Sequence, residues 1–274
     1  MSVETDFNYL RSQISRAEDH YKIDEIEKLR KKYRSGEFID DDESFLDIRL
    51  GGLNFYFRRD LAPASVDTYI EVFRDRAHMK LPQFQPQNNA TVIDIGANEG
   101  FYSLYMRHHN PGLRLISVEP VPHTFQILQR NIKANGFDNI QIINSAVGNT
   151  TSTKKMDIYP HVSSISSEDI GILKRPWVDP ELIRSIQVQQ ITLPSLLEKY
   201  HFKTVDLLKI DAEGCELQIL ENAISVLPRI QKMVVEWHTP ELRKGCTDYL
   251  QKNGFTLLHE ERRRVGDSYF INRH

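Results

Sequence analysis

Val92-Ile93-Asp94-Ile95-Gly96-Ala97-Asn98-Glu99-Gly100-Phe101-Tyr102-Ser103 decides the fold. An apolar run passes straight into a Gly-x-Asn-x-Gly turn, and the residues after it open a helix. A strand covered on both faces reads as such a continuous run. Glycines in the turn let the backbone approach a ligand where side chains would obstruct, with a helix N-terminus just beyond. Asn tolerates positive φ better than other non-glycine residues, so Asn98 stands in for a glycine. A dinucleotide fold would show G-x-G-x-x-G, and this tighter turn disfavours a pyrophosphate and points to an adenosine-type cofactor. A glycine turn that serves packing alone is the competing reading.

Outward from this turn, apolar runs alternate with helical periods, the pattern of a parallel sheet flanked by helices. The runs predict strands over Thr91–Ile95, Leu113–Glu119, Ile140–Asn144, Val205–Ile210, Lys232–Trp237, Phe255–His259 and Ser268–Asn272. Helices fit Tyr102–His109, Pro122–Asn135, Cys215–Val226 and Pro240–Lys252, with Asn135-Gly136 and Asn253-Gly254 as stops. Lys154–Tyr159 and Ile186–Ile191 are candidate extra strands around His161–Arg184, a segment rich in Ser, Asp and Pro that reads as a substrate lid or a surface excursion. Before residue 90 the spacing predicts one or two surface helices over Phe7–Tyr33, a hairpin around Gly51-Gly52 and a helix over Ala64–Met79. The chain thus divides into an extension, 1–89, packed on a main domain, 90–274.

Composition removes other classes. The chain has 274 residues, with 35 Lys+Arg against 38 Asp+Glu and a net charge of −3, so it carries no global electrostatic footprint for nucleic acid. Two cysteines cannot make a framework of several bridges, and Cys215 and Cys246 read as free thiols in a reducing compartment. The charged N-terminus has no signal-peptide core and no stretch is long and apolar enough to span a membrane, so the expected location is cytoplasmic. The basic runs Lys28–Arg34 and Arg262–Arg264 read as local, solvated charge.

The next strand ends in Val118-Glu119-Pro120, with Glu119 placed to accept hydrogen bonds from both hydroxyls of a ribose. After the third strand, Asn144-Ser145-Ala146-Val147-Gly148 forms a small polar loop able to read an adenine edge through backbone groups and Asn144 or Ser145. Turn, acid and loop in this order point to S-adenosylmethionine rather than NAD. The cofactor-binding candidates are Asp94, Gly96, Ala97, Asn98, Gly100, Phe101, Tyr102, Ser103, Glu119, Pro120, Asn144, Ser145, Ala146 and Asp211. A second group, Lys209, Asp211, Glu213, Glu236 and His238, stands at the carboxyl ends of two buried strands, where open α/β sheets place their ligands. The bland alternative makes Glu213 and Glu216 helix N-terminal acids and His238 a hydrogen-bonded surface residue.

VIDIGANEGFYS, VEP, NSAVG, Ser163-Ser164, ITLPSLL, VDLLKIDAEGCE and VVEWH, in this order, resemble the FkbM-type class I methyltransferases between Thr91 and His238, most specifically in KIDAEG beside GANEG. The extension adds only a loose similarity around Ala64 to Phe73. The resemblance implies an α/β, doubly wound, Rossmann-like seven-stranded sheet with one antiparallel strand near the C-terminus. It also implies S-adenosylmethionine as donor and O-methylation of a sugar, glycan or natural-product hydroxyl. The family's acceptors vary, so that part transfers least.

Such a hydroxyl needs a base, and His238 is the first candidate because an unperturbed histidine titrates nearest to working pH. Asp211 or Glu213 would orient it or take its place. The oxygens of Asp211, Glu213 and Glu236 also suit Mg²⁺ as a secondary expectation. Expected partners are a small-molecule or glycan acceptor and a second copy of the chain, with no nucleic acid and no membrane span. The alternatives are methylation of a protein or RNA nitrogen, for which an Asn-Pro-Pro-Tyr type of loop is missing, and a non-catalytic cofactor-binding scaffold.

Overall fold

The computed structural model describes residues 3–35, 42–159, 166–167, 179–261 and 265–273. Helices α1 (Val3–Gln13) and α2 (His20–Arg34) open the chain. They are surface helices whose periodic residues Phe7, Leu10, Ile23 and Ile26 are fully buried on the inner face. One member of the basic run is buried too: Arg30 pairs with Asp6 and Asp67. Strands β1 (Phe45–Leu50) and β2 (Leu53–Arg58) form the antiparallel hairpin around Gly51-Gly52. Helix α3 (Ala62–Phe73) is shorter than its apolar period suggests. Beyond it Arg76 and His78 take positive φ angles of 58° and 61°, and the chain bends back instead of continuing a helix to Met79.

The main sheet begins with β3 (Thr91–Ile95), α4 (Phe101–His109), β4 (Arg114–Val118), α5 (Pro122–Ala134) and β5 (Gln141–Ile143). A smaller sheet follows, made of β6 (Ala146–Gly148), β7 (Ser152–Ile158), β8 (Ser166–Ser167) and β9 (Arg184–Thr192) in the order β6-β9-β7-β8. Part of the loop read at Asn144–Gly148 is therefore strand. Most of the expected lid, 161–184, lies outside the described residues, as do Ser163-Ser164 and Arg262–Arg264.

The chain continues through α6 (Leu193–Lys199), β10 (Leu207–Ile210), α7 (Glu216–Asn222), β11 (Lys232–Trp237), α8 (Pro240–Lys252), β12 (Phe255–Glu260) and β13 (Gly266–Asn272). Val205 makes only an isolated bridge to Ile230, so β10 starts later than the apolar run. Helix α7 ends early, and a 3-10 turn at Leu227–Arg229 takes over.

Seven strands pair in the order β12-β13-β11-β10-β3-β4-β5. All run parallel except β13, which is antiparallel to both β11 and β12. The winding reverses between β3 and β10, so the loops leaving these strands diverge and open a crevice, the usual ligand position in such sheets.

The extension shares its core with one face of this sheet. A continuous cluster runs from Phe7 and Leu10 through Phe55, Phe57 and Tyr69 to Phe101 and Tyr269. Phe101, the first residue of α4, meets Phe55, Phe57 and Tyr69 at ring-centroid distances of 5.7, 6.0 and 6.0 Å. Such aromatic pairs each contribute on the order of 1 kcal/mol beyond area burial, so the helix after the glycine turn is anchored at its start. The edge of β2 is covered by α5: Asn131 Oδ1 accepts from Tyr56 N at 2.7 Å, and Asn135 exchanges two hydrogen bonds with the Asn54 backbone. Among the described residues no helix is long and apolar enough to cross a membrane.

Candidate active site

The turn after β3 has the backbone its composition demands, with Gly96 at φ 74°, Asn98 at 50° and Gly100 at 89°. What crowds the two glycines is the protein itself. A Cβ at Gly96 would overlap the Asp211 carbonyl oxygen, and one at Gly100 would overlap the Leu128 side chain. Packing of the turn against β10 and α5 is thus a reason for these glycines, whatever ligand the turn also meets.

Asp94 and Ser103 correct the reading of cofactor-binding residues. The Asp94 carboxylate is fully buried, accepts from Ser103 Oγ at 2.6 Å and Lys209 Nζ at 3.0 Å, and lines neither of the cavities described below. Ser103 lies beside Ser117 beneath the turn. Asn144 also acts from behind, donating to the carbonyls of Glu119 and Pro120 at 2.9 and 3.0 Å. Gly100 lines neither cavity, and Ala97, Phe101 and Tyr102 face the larger of the two.

A cavity of about 630 Å³, its open mouth included, lies where β3, β4 and β10 end. Of the cofactor-binding candidates, Gly96, Asn98, Glu119, Pro120, Ser145, Ala146 and Asp211 line it. Val118, Val147, Met156 and Cys215 add apolar walls that the sequence reading missed. Glu119 accepts from Asn98 N at 3.0 Å and Val121 N at 2.9 Å, which fixes its carboxylate at the wall. Burial pushes its pKa up to about 8, against the pull of those two N–H groups. Asn98 Oδ1 is buried and accepts no hydrogen bond from the described residues. Apolar walls, a carboxylate for hydroxyls and an orphaned acceptor fit an adenosine-type ligand.

The second cavity is a cleft of about 1840 Å³ including its open mouth. Lys209, Asp211, Glu213, Glu236 and His238 all line it, so the two strand ends meet in space as they do in the sequence pattern. Lys209 Nζ bonds Asp94 Oδ1 and the Gly96 carbonyl, each at 3.0 Å, and faces Asp211 Oδ2 at 3.4 Å. Burial alone would raise the Asp211 pKa, but Lys209 and His238 hold it at about 2. Burial and the neighbouring Asp211 charge push Glu236 well above the usual carboxylate range, and the two carboxyl groups share a hydrogen bond.

His238 departs from the near-neutral base read from the sequence. Its Nδ1 faces Glu216 Oε1 at 2.9 Å, and its Nε2 faces Glu213 Oε2 at 3.4 Å and Asp211 Oδ1 at 3.8 Å. Burial would lower its pKa, yet Glu213 and Glu216 raise it well above the ordinary value. Carboxylates at both nitrogens thus favour the charged form of the ring. Two of the three carboxylates expected to hold Mg²⁺ already face cationic side chains, Asp211 beside Lys209 and Glu213 beside His238, each at 3.4 Å.

The two cavities share Gly96, Asn98, Asp211 and Glu213. Sequence reasoning missed three further ionisable residues here. Glu216 is fully buried and orients His238, its spacing from Glu213 having suggested only a helix N-terminus. His78 and Asp267 form a buried pair, Nδ1 to Oδ1 at 2.8 Å, across 189 positions of sequence, and no local pattern announces it.

Residues 94–261 match the family described as the Methyltransferase FkbM domain. The chain belongs to this family. As an FkbM-family methyltransferase it is 24% identical over 227 residues to methyltransferase sdnD of Sordaria araneosa, covering 73% of this chain and 86% of that protein. It is 24% identical over 219 residues to the 31-O-demethyl-FK506 methyltransferase FkbM of Streptomyces tacrolimicus, covering 70% and 82%. A solved structure of TYW2 from M. jannaschii in complex with AdoMet has 13% identity and a TM-score of 0.44, covering 86% of this chain and 90% of that one. The FkbM match starts at Asp94 and ends at Glu261, so the extension, His78 and β13 stand outside it.

Proposed function

We propose that this FkbM-family methyltransferase moves a methyl group from S-adenosylmethionine to a hydroxyl of a sugar, glycan or natural product. The observation that carries the reading is the partition: Gly96, Asn98, Asp211 and Glu213 line both the smaller cavity beside Glu119 and the broad polar cleft. Methyl transfer from a sulfonium is an in-line displacement, and such a partition lets donor and acceptor meet end to end, with much of the rate coming from alignment. A relative whose name places its methyl on an oxygen of a natural product agrees with a hydroxyl acceptor. The buried cysteines Cys215 and Cys246 suit a reducing compartment, the cytoplasm in this reading.

Each side chain then has a task. Glu119, at the wall of the smaller cavity, accepts the ribose hydroxyls. Asp211 stays ionised between the cavities and faces the positive charge of the donor. Lys209 ties the Gly96 carbonyl to Asp94 and holds the turn in shape. His238 balances Glu213 and Glu216 and keeps the cleft side of the partition rigid.

Calorimetric titration with S-adenosylmethionine tests the first half, and a methyl-release assay across sugar and natural-product alcohols tests the second. Absence of binding heat together with an unchanged melting curve would refute the reading. Donor binding without turnover on any acceptor would favour a scaffold.

A further inference from the structure

We infer that His78, oriented by Asp267, is the catalytic base that takes the acceptor hydroxyl proton, an assignment that rests on the methyl-transfer reading above. His78 comes from the bend after α3 and Asp267 from β13. Asp267 grips it twice: one carboxylate oxygen faces the ring Nδ1 at 2.8 Å and the other accepts from the His78 backbone N at 2.8 Å. Tyr269 Oη donates to the same carboxylate at 3.1 Å. A carboxylate beside Nδ1 keeps the proton on that nitrogen, which leaves the Nε2 lone pair free. Among the described residues, Nε2 of His78 has no hydrogen-bond partner.

The ring faces the correct cavity. His78 lines the larger cleft and not the cavity that holds Glu119, so it stands on the acceptor side of the partition. One of its ring nitrogens and carboxylate oxygens of Asp211 and Glu236 all lie within 4.8 Å of one another. His78 reaches this place through a left-handed backbone, φ 61°, a conformation that costs free energy at a non-glycine residue and that Asp267 helps to hold. His238, on the same cleft, has no nitrogen to spare.

The step balances. An electron pair of the acceptor oxygen forms the bond to the methyl carbon, the pair of the breaking S–CH₃ bond stays on sulfur, and the hydroxyl proton passes to His78 Nε2. The resulting imidazolium stays paired with Asp267 and later yields its proton to water. The charged and titratable groups around His78 are Asp267 and Tyr269 on β13, Lys209 and Asp211 at the end of β10, Glu236 on β11, Glu71 on α3 and Tyr102 on α4. Burial lowers the His78 pKa, but Asp267 outweighs it and the net shift is upward. The competent neutral ring therefore grows in population as pH rises, and kcat should rise with it.

The test uses the full chain. His78→Asn keeps an N–H for Asp267 but has no basic nitrogen, and it should lower kcat on an acceptor from the panel by about 10²-fold or more with donor affinity unchanged. Asp267→Asn should move the rising limb of the kcat profile to lower pH while lowering its plateau, a change that a purely structural pair would not produce. Retention of kcat in His78→Asn, or loss of the rising limb in His238→Asn instead, would overturn the assignment. Nitrogen NMR of labelled histidine, assigned through His78→Asn, gives a readout without turnover and should show the neutral ring protonated on Nδ1. Neutral His78 protonated on Nε2 in a chain that turns over acceptor sinks this proposal alone, whereas a chain that binds no donor sinks the methyl-transfer reading and this proposal with it.

Discussion

The Lys209 ammonium lies 3.0 Å from the Asp94 carboxylate, and side-chain exposures of 3% and 0% show that neither group meets bulk water. The pair joins β10 to β3 at the switch point of the sheet, and the same ammonium reaches the Gly96 carbonyl at 3.0 Å. The acid of the glycine-turn motif and the lysine of the second motif are thus each other's partners. They build the floor on which both cavities rest.

Removing one member alone should be costly. Lys209→Met strands a buried carboxylate, and breaking a buried pair in this way costs about 3–5 kcal/mol. Asp94→Asn added to Lys209→Met should recover a large part, because a neutral amide no longer needs the cation. Urea denaturation of the four species gives the coupling; additive single effects would mean that the two residues do not act as a unit.

Glu119 makes donor binding pH-dependent. Its pKa in the free protein is about 8, set by burial, and ribose hydroxyls donate to the ionised form. Binding then lowers that pKa, so affinity rises as pH climbs toward about 8 and protons leave on binding. Calorimetry at pH 7 in buffers of different ionisation enthalpy should report this release in the wild type and not in Glu119→Gln, whose affinity should be lower. Equal proton release in both proteins would place the linkage elsewhere.

The elements that carry the site were legible because burial on both faces writes itself into a sequence as an apolar run. β3 and β11 have the bounds that the runs Thr91–Ile95 and Lys232–Trp237 predict, and β4 and β10 fall inside the runs Leu113–Glu119 and Val205–Ile210. Their order also brings Glu119 to one cavity and the group from Lys209 to His238 to the other. Local spacing carries no information about pairs made by folding. His78 and Asp267 meet from opposite ends of the chain, and the bend that delivers His78 is a positive-φ turn built without glycine. Asp94 shows the converse, since a motif reveals that an acid is present and not which way it points.

The glycines of the turn give a sharper check on packing. Gly96→Ala forces a methyl group onto the Asp211 carbonyl at φ 74°, and the atom it meets is backbone rather than the end of a flexible side chain. Gly136 also has a positive φ, 66°, but a Cβ there meets nothing within 4 Å. Gly136→Ala should therefore cost only the conformational penalty, about 1–2 kcal/mol. Gly96→Ala should cost clearly more and abolish donor binding. Similar melting temperatures for the two variants would show that the turn tolerates the extra atom.

His238 gives the last test, through stability rather than rate. Glu216 is fully buried, and the imidazolium is its cation at 2.9 Å. Burial alone would lower the histidine pKa, and Glu213 with Glu216 reverses that to a value well above 6.5. A raised folded-state pKa means that the protonated ring stabilises the native state fully below about pH 6.5, and that this contribution fades as pH rises through the folded value. His238→Asn lacks the cation at every pH, leaves Glu216 short of charge and should melt below the wild type. The gap between them should be widest near pH 6 and close on the alkaline side as the wild-type ring loses its proton. A gap that is constant with pH, or one that grows toward alkaline pH, would show that His238 is neutral in the folded protein and would return it to the role of base.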